Sequence, residues 1–153
     1  MKTAVGSANN TKSLLTFADF KEITKSRLAL SVVFSSLAGY LLGAYEVNPL
    51  SLLLLAFGGY CMVGASNAFN QVIEKDLDAL MNRTRNRPIP AGRMSVNKAM
   101  TLAVLMTISG VVSLYVLNPQ TAMFGAISIF IYTGVYTPLK TKTPLSVFVG
   151  AIP

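Results

Sequence analysis

Residues 47–93 read VNPLSLLLLAFGGYCMVGASNAFNQVI followed by EKDLDALMNRTRNRPIPAGR, an uncharged run that ends in a strongly charged one. The first part, residues 47–73, contains no Asp, Glu, Lys or Arg. The second part, residues 74–93, holds three of the chain's six acids and four of its five arginines. Because a helix that crosses the hydrocarbon core of a bilayer needs about 20 apolar residues, this boundary predicts a transmembrane helix that ends in a polar loop.

The whole composition agrees with a membrane protein. Of 153 residues, 52% are hydrophobic and 12% are charged, whereas charged residues make up about 25% of an ordinary soluble domain. Two further uncharged runs, 28–45 and 99–139, are long enough for one span and two spans, and Asn118-Pro119 divides the second. We therefore predict an all-α, multi-span transmembrane helix bundle with about four complete spans. The apolar segment Pro144–Pro153 resembles the start of a fifth span, so we expect the sequence to be part of a longer chain.

The basic residues predict the orientation of the spans. All 13 lie before the first span, between the second and third, or after the fourth. The positive-inside rule then places the N-terminus and the charged loops in the cytoplasm. Residues 1–27 form a polar tail and an interfacial segment, in which Leu14, Phe17, Ala18 and Phe20 alternate with charges; residues 28–153 form the transmembrane domain. No secretory signal or Arg-rich transit segment is evident, which favours a bacterial cytoplasmic membrane.

Two residue counts exclude several kinds of chemistry. The chain contains no histidine, so the usual general base and the usual haem-iron ligand are absent. It contains one cysteine, Cys61, which excludes a disulfide framework and a cysteine-based metal site.

Three oxygen-bearing side chains share one helical face at the end of the second span. Asn70, Glu74 and Asp78 are spaced i, i+4 and i+8, while Asp76 points elsewhere. Like charges at this spacing repel each other and weaken the helix unless a positive group neutralises them. One interpretation is a helix end whose acids are solvated and paired with neighbouring arginines. The other is a binding site for a cation.

The loop that follows favours a cation site that also binds phosphate. Arg83, Arg85, Arg87 and Arg93 follow the acids, and Pro88, Pro90 and Gly92 predict a shaped loop rather than a helix. The arginine fork suits phosphate oxygens, and Mg²⁺ prefers one or two carboxylates together with substrate phosphates. The pattern therefore predicts a site for a Mg²⁺-bound diphosphate.

The same residues resemble a known family. The stretch NQVIEKDLDALMNRTRNRPIPAGRMS, residues 70–95, is similar to the first N-x-x-x-D-x-x-x-D signature of the UbiA-type intramembrane prenyltransferases, with Glu74 where many members have Asp. The R-T-x-N-R-P extension, residues 83–88, resembles the branch of the family that farnesylates haem B. The segments LTFADFKEITKSRL, residues 15–28, and YTPLKTKTP, residues 136–144, are also similar to that branch.

The resemblance implies a reaction and a set of site residues. The reaction is transfer of a farnesyl group from farnesyl diphosphate to a vinyl group of haem B, giving haem O. Mg²⁺ is the implied cofactor, and Asn70, Glu74 and Asp78 are its implied ligands and the catalytic set. The residues implied to contact the diphosphate or the haem propionates are Arg83, Arg87, Lys140 and Tyr136. Tyr132 and Tyr136 are also candidates to line the substrate cavity, with packing as the other interpretation.

The resemblance also implies partners and a size. The partners are farnesyl diphosphate, haem B, the lipid bilayer and a haem A synthase that acts on the product; nucleic acid is not among them. Members of the family have about nine helices and a second aspartate-rich motif. This chain is therefore expected to be the N-terminal half of the enzyme, and to be inactive alone.

Three other functions remain open from the residues. A related prenyltransferase could act on a hydroxybenzoate, a naphthoate or a chlorophyllide instead. A transporter could use Glu74 and Asp78 in an ion path, although such acids usually lie near the middle of a span. A helix-bundle scaffold is a third function, for which Gly39 and Gly43 at GxxxG spacing would allow close helix contact.

Overall fold

The computed structural model describes residues 16–140, which are helical and connected by short turns. The elements are α1 (Phe17–Ile23), α2 (Ser26–Gly43), α3 (Pro49–Ile73), α4 (Lys75–Leu80), α5 (Val96–Leu117), α6 (Pro119–Phe130), a π-helical segment (Ile131–Tyr136) and α7 (Thr137–Leu139). Within these residues four helical stretches are long and apolar enough to cross a membrane: α2, α3, α5 and the run Pro119–Leu139. The predicted all-α multi-span architecture is confirmed. Leu14 and the predicted start of a fifth span lie outside the described residues.

Asn-Pro pairs begin two of the spans. The side-chain oxygen of Asn48 accepts a hydrogen bond from the Leu50 amide at 2.9 Å, and Asn118 does the same for Gln120 at 2.8 Å. An asparagine at the N-cap satisfies an amide that lacks an intrahelical acceptor, and proline at the first helical position loses no hydrogen bond there. The break predicted at Asn118-Pro119 is therefore the start of α6.

Helix α3 is the centre of the bundle. It packs against α5 along much of its length and against α2 on another side, while α6 packs against α5. Glycines let the helices approach closely: a methyl group on Gly110 would lie 2.9 Å from the Met62 side chain, and one on Gly58 would lie 2.8 Å from the Leu114 side chain. In contrast, a methyl group on Gly39 or Gly43 would have no described atom within 4 Å, so their GxxxG face meets no helix of residues 16–140.

The loop between α4 and α5 folds onto the end of the bundle. Two of its apolar side chains, Ile89 and Met94, are buried. The core cluster they join contains residues from three helices: Ile23, Ala68, Val72, Ala99 and Ala103. Gly92 has a φ of 72°, a left-handed conformation that favours glycine. The loop is thus a series of packed turns, as its prolines and glycine predicted.

The outer surfaces of the spans expose large apolar side chains. Phe34, Leu42 and Phe130 are examples, with 73%, 90% and 68% of each residue exposed. A soluble monomer rarely shows such extensive apolar surface. The surface suits lipid or further helices.

We expect Gly58→Ala to destabilise the bundle by about 1–3 kcal/mol, because the added methyl group overpacks the contact between α3 and α5. The adjacent Gly59→Ala is the matched control, since its methyl group would meet only the Val33 side chain at 3.7 Å. It should be neutral, or stabilising by up to about 1 kcal/mol through helix propensity. Unfolding in SDS, followed by circular dichroism, measures both. Equal effects of the two substitutions would contradict the close packing at Gly58.

Candidate active site

The face predicted from the sequence continues through a break in the helix. Glu74 separates α3 from α4 and has φ −90° and ψ 7°. Two backbone hydrogen bonds nevertheless keep the i→i+4 spacing across it: the Glu74 amide donates to the Asn70 carbonyl at 2.9 Å, and the Asp78 amide to the Glu74 carbonyl at 2.8 Å. Asn70, Glu74 and Asp78 are consequently all buried. The side chain of Asp76 is 88% exposed.

Glu74 is held by an amide and an ammonium group. The Asn70 side-chain amide donates to Glu74 Oε2 at 3.0 Å, and Lys140 Nζ lies 3.3 Å from Glu74 Oε1. Asn70 is oriented in turn by the hydroxyl of Thr137, which lies 3.1 Å from Asn70 Oδ1 and 2.8 Å from the Tyr132 carbonyl. The end of the fourth span is therefore joined to the end of α3.

Asp78 is held by the charged loop. Arg87 Nη1 donates to Asp78 Oδ2 at 2.6 Å, and the Thr84 hydroxyl donates to the Asp78 main-chain carbonyl at 3.0 Å. The carboxylate is almost fully buried, and only 18% of the Arg87 side chain is exposed. Charge-assisted hydrogen bonds of this kind are stronger than neutral ones. Each buried acid of the face thus has its own cationic partner.

The other predicted contact residues occupy different positions. Tyr136 stacks on Tyr132, with ring centroids 5.2 Å apart. Both belong to the π-helical segment, a widened turn of a type often found at functional sites. Arg83 is exposed, and its guanidinium forms no ion pair within residues 16–140. The structure therefore brings Asn70, Glu74, Asp78, Arg87 and Lys140 together, and leaves Arg83 at the surface of the loop.

An apolar cavity lies between α2, α3 and α6. Its volume is about 400 Å³, and its walls include Leu28, Met62, Ile129 and Tyr132. Asn67 also lines it and precedes Asn70 by almost one helical turn. The cavity therefore approaches the site from the side of Asn67 and Tyr132.

Sequence reasoning missed Lys25, which lies between α1 and α2 and is half-buried. Burial is the largest reason that the pKa of Lys25 is lowered. The positive charges of Arg87 and Lys140 lower this pKa further, whereas the negative charges of Glu74 and Asp78 raise it. The pKa of Lys25 is thus influenced by the same four charged groups that form the ion pairs of the site. Its only sequence signal is its place in the segment ITKSRL, just before the first span.

Arg93 has a structural role instead. It donates to the buried carboxylate of Asp19, to Glu22 Oε2 at 2.7 Å and to the Asn86 carbonyl at 2.7 Å. The hydrogen bond to Glu22 is the main reason that the pKa of Arg93 is raised. These contacts attach α1 to the charged loop.

The donor atoms fit a hard cation that brings its own further ligands. Within the described chain, no group of three or more His, Cys, Asp and Glu side chains is arranged to hold a metal ion. The set present is two carboxylates and one amide oxygen. Mg²⁺ is bound in this way when substrate phosphates and water complete its shell.

Four membrane-length helices, with buried acids and their cationic partners at one end, define a multi-pass membrane protein with a charged site at that end of the bundle. Residues 32–153 match the family model of the UbiA prenyltransferases. The chain belongs to this family.

Individual relatives are similar to this chain over about half of their own length. The protoheme IX farnesyltransferase of Flavobacterium psychrophilum is 73% identical over 90% of this chain and 47% of the relative. The protoheme IX farnesyltransferase of Cytophaga hutchinsonii is 41% identical over 90% of this chain and 49% of the relative. The chain spans about half the length of the curated relatives it matches. A solved structure described as a digeranylgeranylglyceryl phosphate synthase is similar to this chain with a TM-score of 0.79 at 20% sequence identity. The match covers 86% of this chain and 47% of the chain in the solved structure. This similarity shows the fold.

We expect Arg93→Gln to loosen α1, because it leaves the buried Asp19 carboxylate without its guanidinium partner. Tryptic cleavage after Lys21 in membrane vesicles should accelerate by roughly fivefold, which corresponds to about 1 kcal/mol of lost local stability. Arg85→Gln is the control, since Arg85 is exposed and forms no ion pair in the described part of the chain. Mass spectrometry of the released peptides measures the rates, and equal rates in the two variants would contradict the attachment.

Proposed function

We propose that this chain forms the N-terminal half of an intramembrane enzyme that transfers the farnesyl group of farnesyl diphosphate to a vinyl group of haem B, giving haem O. The observation that carries the proposal is the buried row of Asn70, Glu74 and Asp78, which faces Arg87 and Lys140 beside an apolar cavity. The choice of acceptor is supported by relatives at 61–73% identity that are named protoheme IX farnesyltransferase.

The proposed location is the bacterial cytoplasmic membrane, with the N-terminus and the charged loops on the cytoplasmic side. The distribution of the 13 basic residues over alternate connections supports this orientation. This orientation would place Asn70, Glu74 and Asp78, called the acid row below, at the cytoplasmic rim of the bilayer. There a diphosphate headgroup can remain near water while its prenyl chain enters the apolar interior.

The proposed reaction begins when the allylic C–O bond of farnesyl diphosphate breaks and the electron pair leaves with the diphosphate. The terminal vinyl carbon of haem B then forms a C–C bond with the farnesyl carbon. Water adds to the neighbouring carbon and a proton is lost, which leaves a hydroxyethylfarnesyl side chain. The difficult step is the first, because negative charge develops on the leaving oxygen.

The residues of the site suit that step. Asn70, Glu74 and Asp78 would hold Mg²⁺, which when bound supplies positive charge to the leaving oxygens. Arg87 and Lys140 would donate hydrogen bonds to phosphate oxygens. A bound diphosphate would therefore compete with Asp78 and Glu74 for these two cationic side chains. Thr137 keeps the Asn70 amide oriented.

The cavity would hold the prenyl chain. Its mainly apolar walls would help to exclude water, which would otherwise capture the allylic cation before the acceptor does. Tyr132 lines it, and Tyr136 stacks on Tyr132, so both rings are proposed to face the chain. Arg83, exposed on the loop, is a proposed contact for a haem propionate. The remaining helices of the family would complete the site, so residues 1–153 alone are proposed to be inactive.

We expect Asp78→Asn to reduce haem O formation by roughly 100-fold or more in a full-length enzyme that carries these residues, because a neutral amide binds the metal and balances Arg87 poorly. Asp76→Asn is the matched control, since the Asp76 side chain is exposed. Chromatography of the haem products, with Mg²⁺ and farnesyl diphosphate supplied, measures the rates, and membrane content of each variant is compared by immunoblot.

Normal haem O formation by Asp78→Asn would reject the metal-binding role. The acceptor is tested in the same assay by replacing haem B with 4-hydroxybenzoate or a dihydroxynaphthoate. Farnesylation of either compound in preference to haem B would assign the enzyme to another branch of the family.

Arg87→Lys should raise the KM for farnesyl diphosphate by about tenfold, because an ammonium group cannot reproduce the two parallel hydrogen bonds of a guanidinium. Arg85→Lys makes the same chemical change two residues earlier on an exposed side chain and should leave the KM unchanged. Initial rates at varied farnesyl diphosphate and saturating haem B provide the measurement. An unchanged KM in Arg87→Lys would remove Arg87 from the phosphate site.

A further inference from the structure

The orientation of the Asn70 amide decides which of its atoms meets Glu74. Asn70 Nδ2 donates to Glu74 Oε2 at 3.0 Å. An ionised carboxylate only accepts hydrogen bonds, so the edge of the amide that faces Glu74 has to be its N–H edge. Asn70 Oδ1 therefore faces the other way, where it accepts a hydrogen bond from the Thr137 hydroxyl at 3.1 Å.

This orientation does not suit a cation held between Asn70 and Glu74. Mg²⁺ is bound by oxygen atoms, and the N–H group that points at the Glu74 carboxylate would repel it. The χ2 torsion of asparagine is broad and roughly two-fold, so the amide can turn by about half a turn without moving the helix. After that turn Oδ1 faces Glu74, and Nδ2 faces the Thr137 hydroxyl.

The hydroxyl of Thr137 can hold the amide in both orientations. Asn70 and Thr137 are 4% and 1% exposed, so protein atoms rather than bulk water have to satisfy the amide. A hydroxyl both donates and accepts hydrogen bonds. It donates to Oδ1 in the orientation that the structure shows, and it can accept from Nδ2 once the amide has turned.

The turned orientation needs a second acceptor for the hydroxyl proton, and the π-helical segment provides one. The Tyr132 carbonyl lies 2.8 Å from the Thr137 hydroxyl oxygen. It also accepts the Thr137 backbone amide, at the five-residue spacing of a π-helical turn. Because a carbonyl oxygen has two lone pairs, it can accept both groups. The single hydroxyl proton thus has two alternative acceptors, one for each orientation of the amide.

We propose that Thr137 is a positioning residue for cation binding, and that the Asn70 amide turns between two orientations that the Thr137 hydroxyl holds in succession. Without the cation the amide N–H faces Glu74, and with the cation Oδ1 faces it. The inference rests on the proposed function, since it takes Asn70 and Glu74 to be ligands of one Mg²⁺ ion. Thr137 itself acts through Asn70 and contacts neither the cation nor the substrate.

A count of hydrogen bonds gives the direction of the effect. The hydroxyl donates its one proton in either orientation, but only in the turned orientation does it also accept from Nδ2. Loss of the hydroxyl therefore weakens the cation-bound state by one hydrogen bond more than the free state. One hydrogen bond corresponds to a roughly fivefold change in Kd.

The first experiment compares Thr137→Val, Thr137→Ser and Thr133→Val in a full-length enzyme that carries these residues. Thr133→Val is the matched control, because it makes the same change one turn earlier, where the hydroxyl donates to the Ile129 carbonyl at 2.6 Å instead of to Asn70. Isothermal titration with preformed Mg²⁺-pyrophosphate measures binding without any acceptor. We expect about a fivefold higher Kd for Thr137→Val, and a Kd within about twofold of the unsubstituted enzyme for the other two variants.

The second experiment tests whether Thr137 acts through Asn70. The double variant Asn70→Ala/Thr137→Val should bind Mg²⁺-pyrophosphate no more weakly than Asn70→Ala, because the amide that the hydroxyl positions is already absent. Additive losses would overturn the positioning role, since they would show that Thr137 supports the fold independently of Asn70. If Thr137→Val does not accumulate in membranes, Thr137→Ala also removes the hydroxyl and should give the same rise in Kd.

The outcomes separate this inference from the proposed function. If the unsubstituted enzyme does not bind Mg²⁺-pyrophosphate, the proposed function fails and the role of Thr137 fails with it. If it binds and Thr137→Val binds equally well, the role of Thr137 is wrong and the proposed function stands. Equal weakening in Thr137→Val and Thr137→Ser, or in Thr137→Val and Thr133→Val, would also overturn the inference, because the hydroxyl next to Asn70 would then not be the cause.

Discussion

The site depends on two backbone hydrogen bonds that bridge the break between α3 and α4. At Glu74 the backbone leaves helical geometry, yet the amides of Glu74 and Asp78 still reach carbonyls four residues earlier, at 2.9 Å and 2.8 Å. A lost or added residue here would turn Asp78 away from the face of Asn70 and Glu74. Because the spacing survives, three oxygen-bearing side chains remain buried together and Asp76 alone of the nearby acids points outwards.

Burying two carboxylates at the end of a membrane span requires positive partners, and this requirement organises the surrounding chain. The ion pair between Asp78 and Arg87 attaches the charged loop to α4, and the ion pair between Glu74 and Lys140 attaches the end of the fourth span to the end of α3. Unpaired, either acid would carry a large desolvation cost. The same guanidinium and ammonium groups suit a diphosphate, so the cations that pair with the buried acids are also the ones that the proposed substrate needs.

The last turns of α3 serve two purposes on two adjoining faces. Asn70 and Glu74 face the charge cluster, while Asn67 and Gln71 hold the end of α1. Such polar residues in an otherwise apolar span are costly unless every one has a specific partner. Here the side-chain N–H groups donate to a carboxylate and to backbone carbonyls, whereas the buried Oε1 of Gln71 has no hydrogen-bond partner among the described residues. The position of the N-terminal helix and the shape of the site are therefore coupled through one helix, and Arg93 strengthens this coupling from the loop side.

The sequence by itself determined the four spans, the break at Asn118-Pro119, the turns around Pro88 and Gly92, and the common face of Asn70, Glu74 and Asp78. All of these follow from local rules: the length of uncharged runs, the backbone limits of proline and glycine, and helical periodicity. The tertiary structure alone decided which of several similar arginines meets which acid. Arg87 contacts Asp78, Arg93 contacts Asp19 and Glu22, and Arg83 is exposed. It also brought Thr137 to Asn70 across 67 positions. Contacts of this kind depend on how helices pack and how a loop turns, and spacing along the chain carries no information about either.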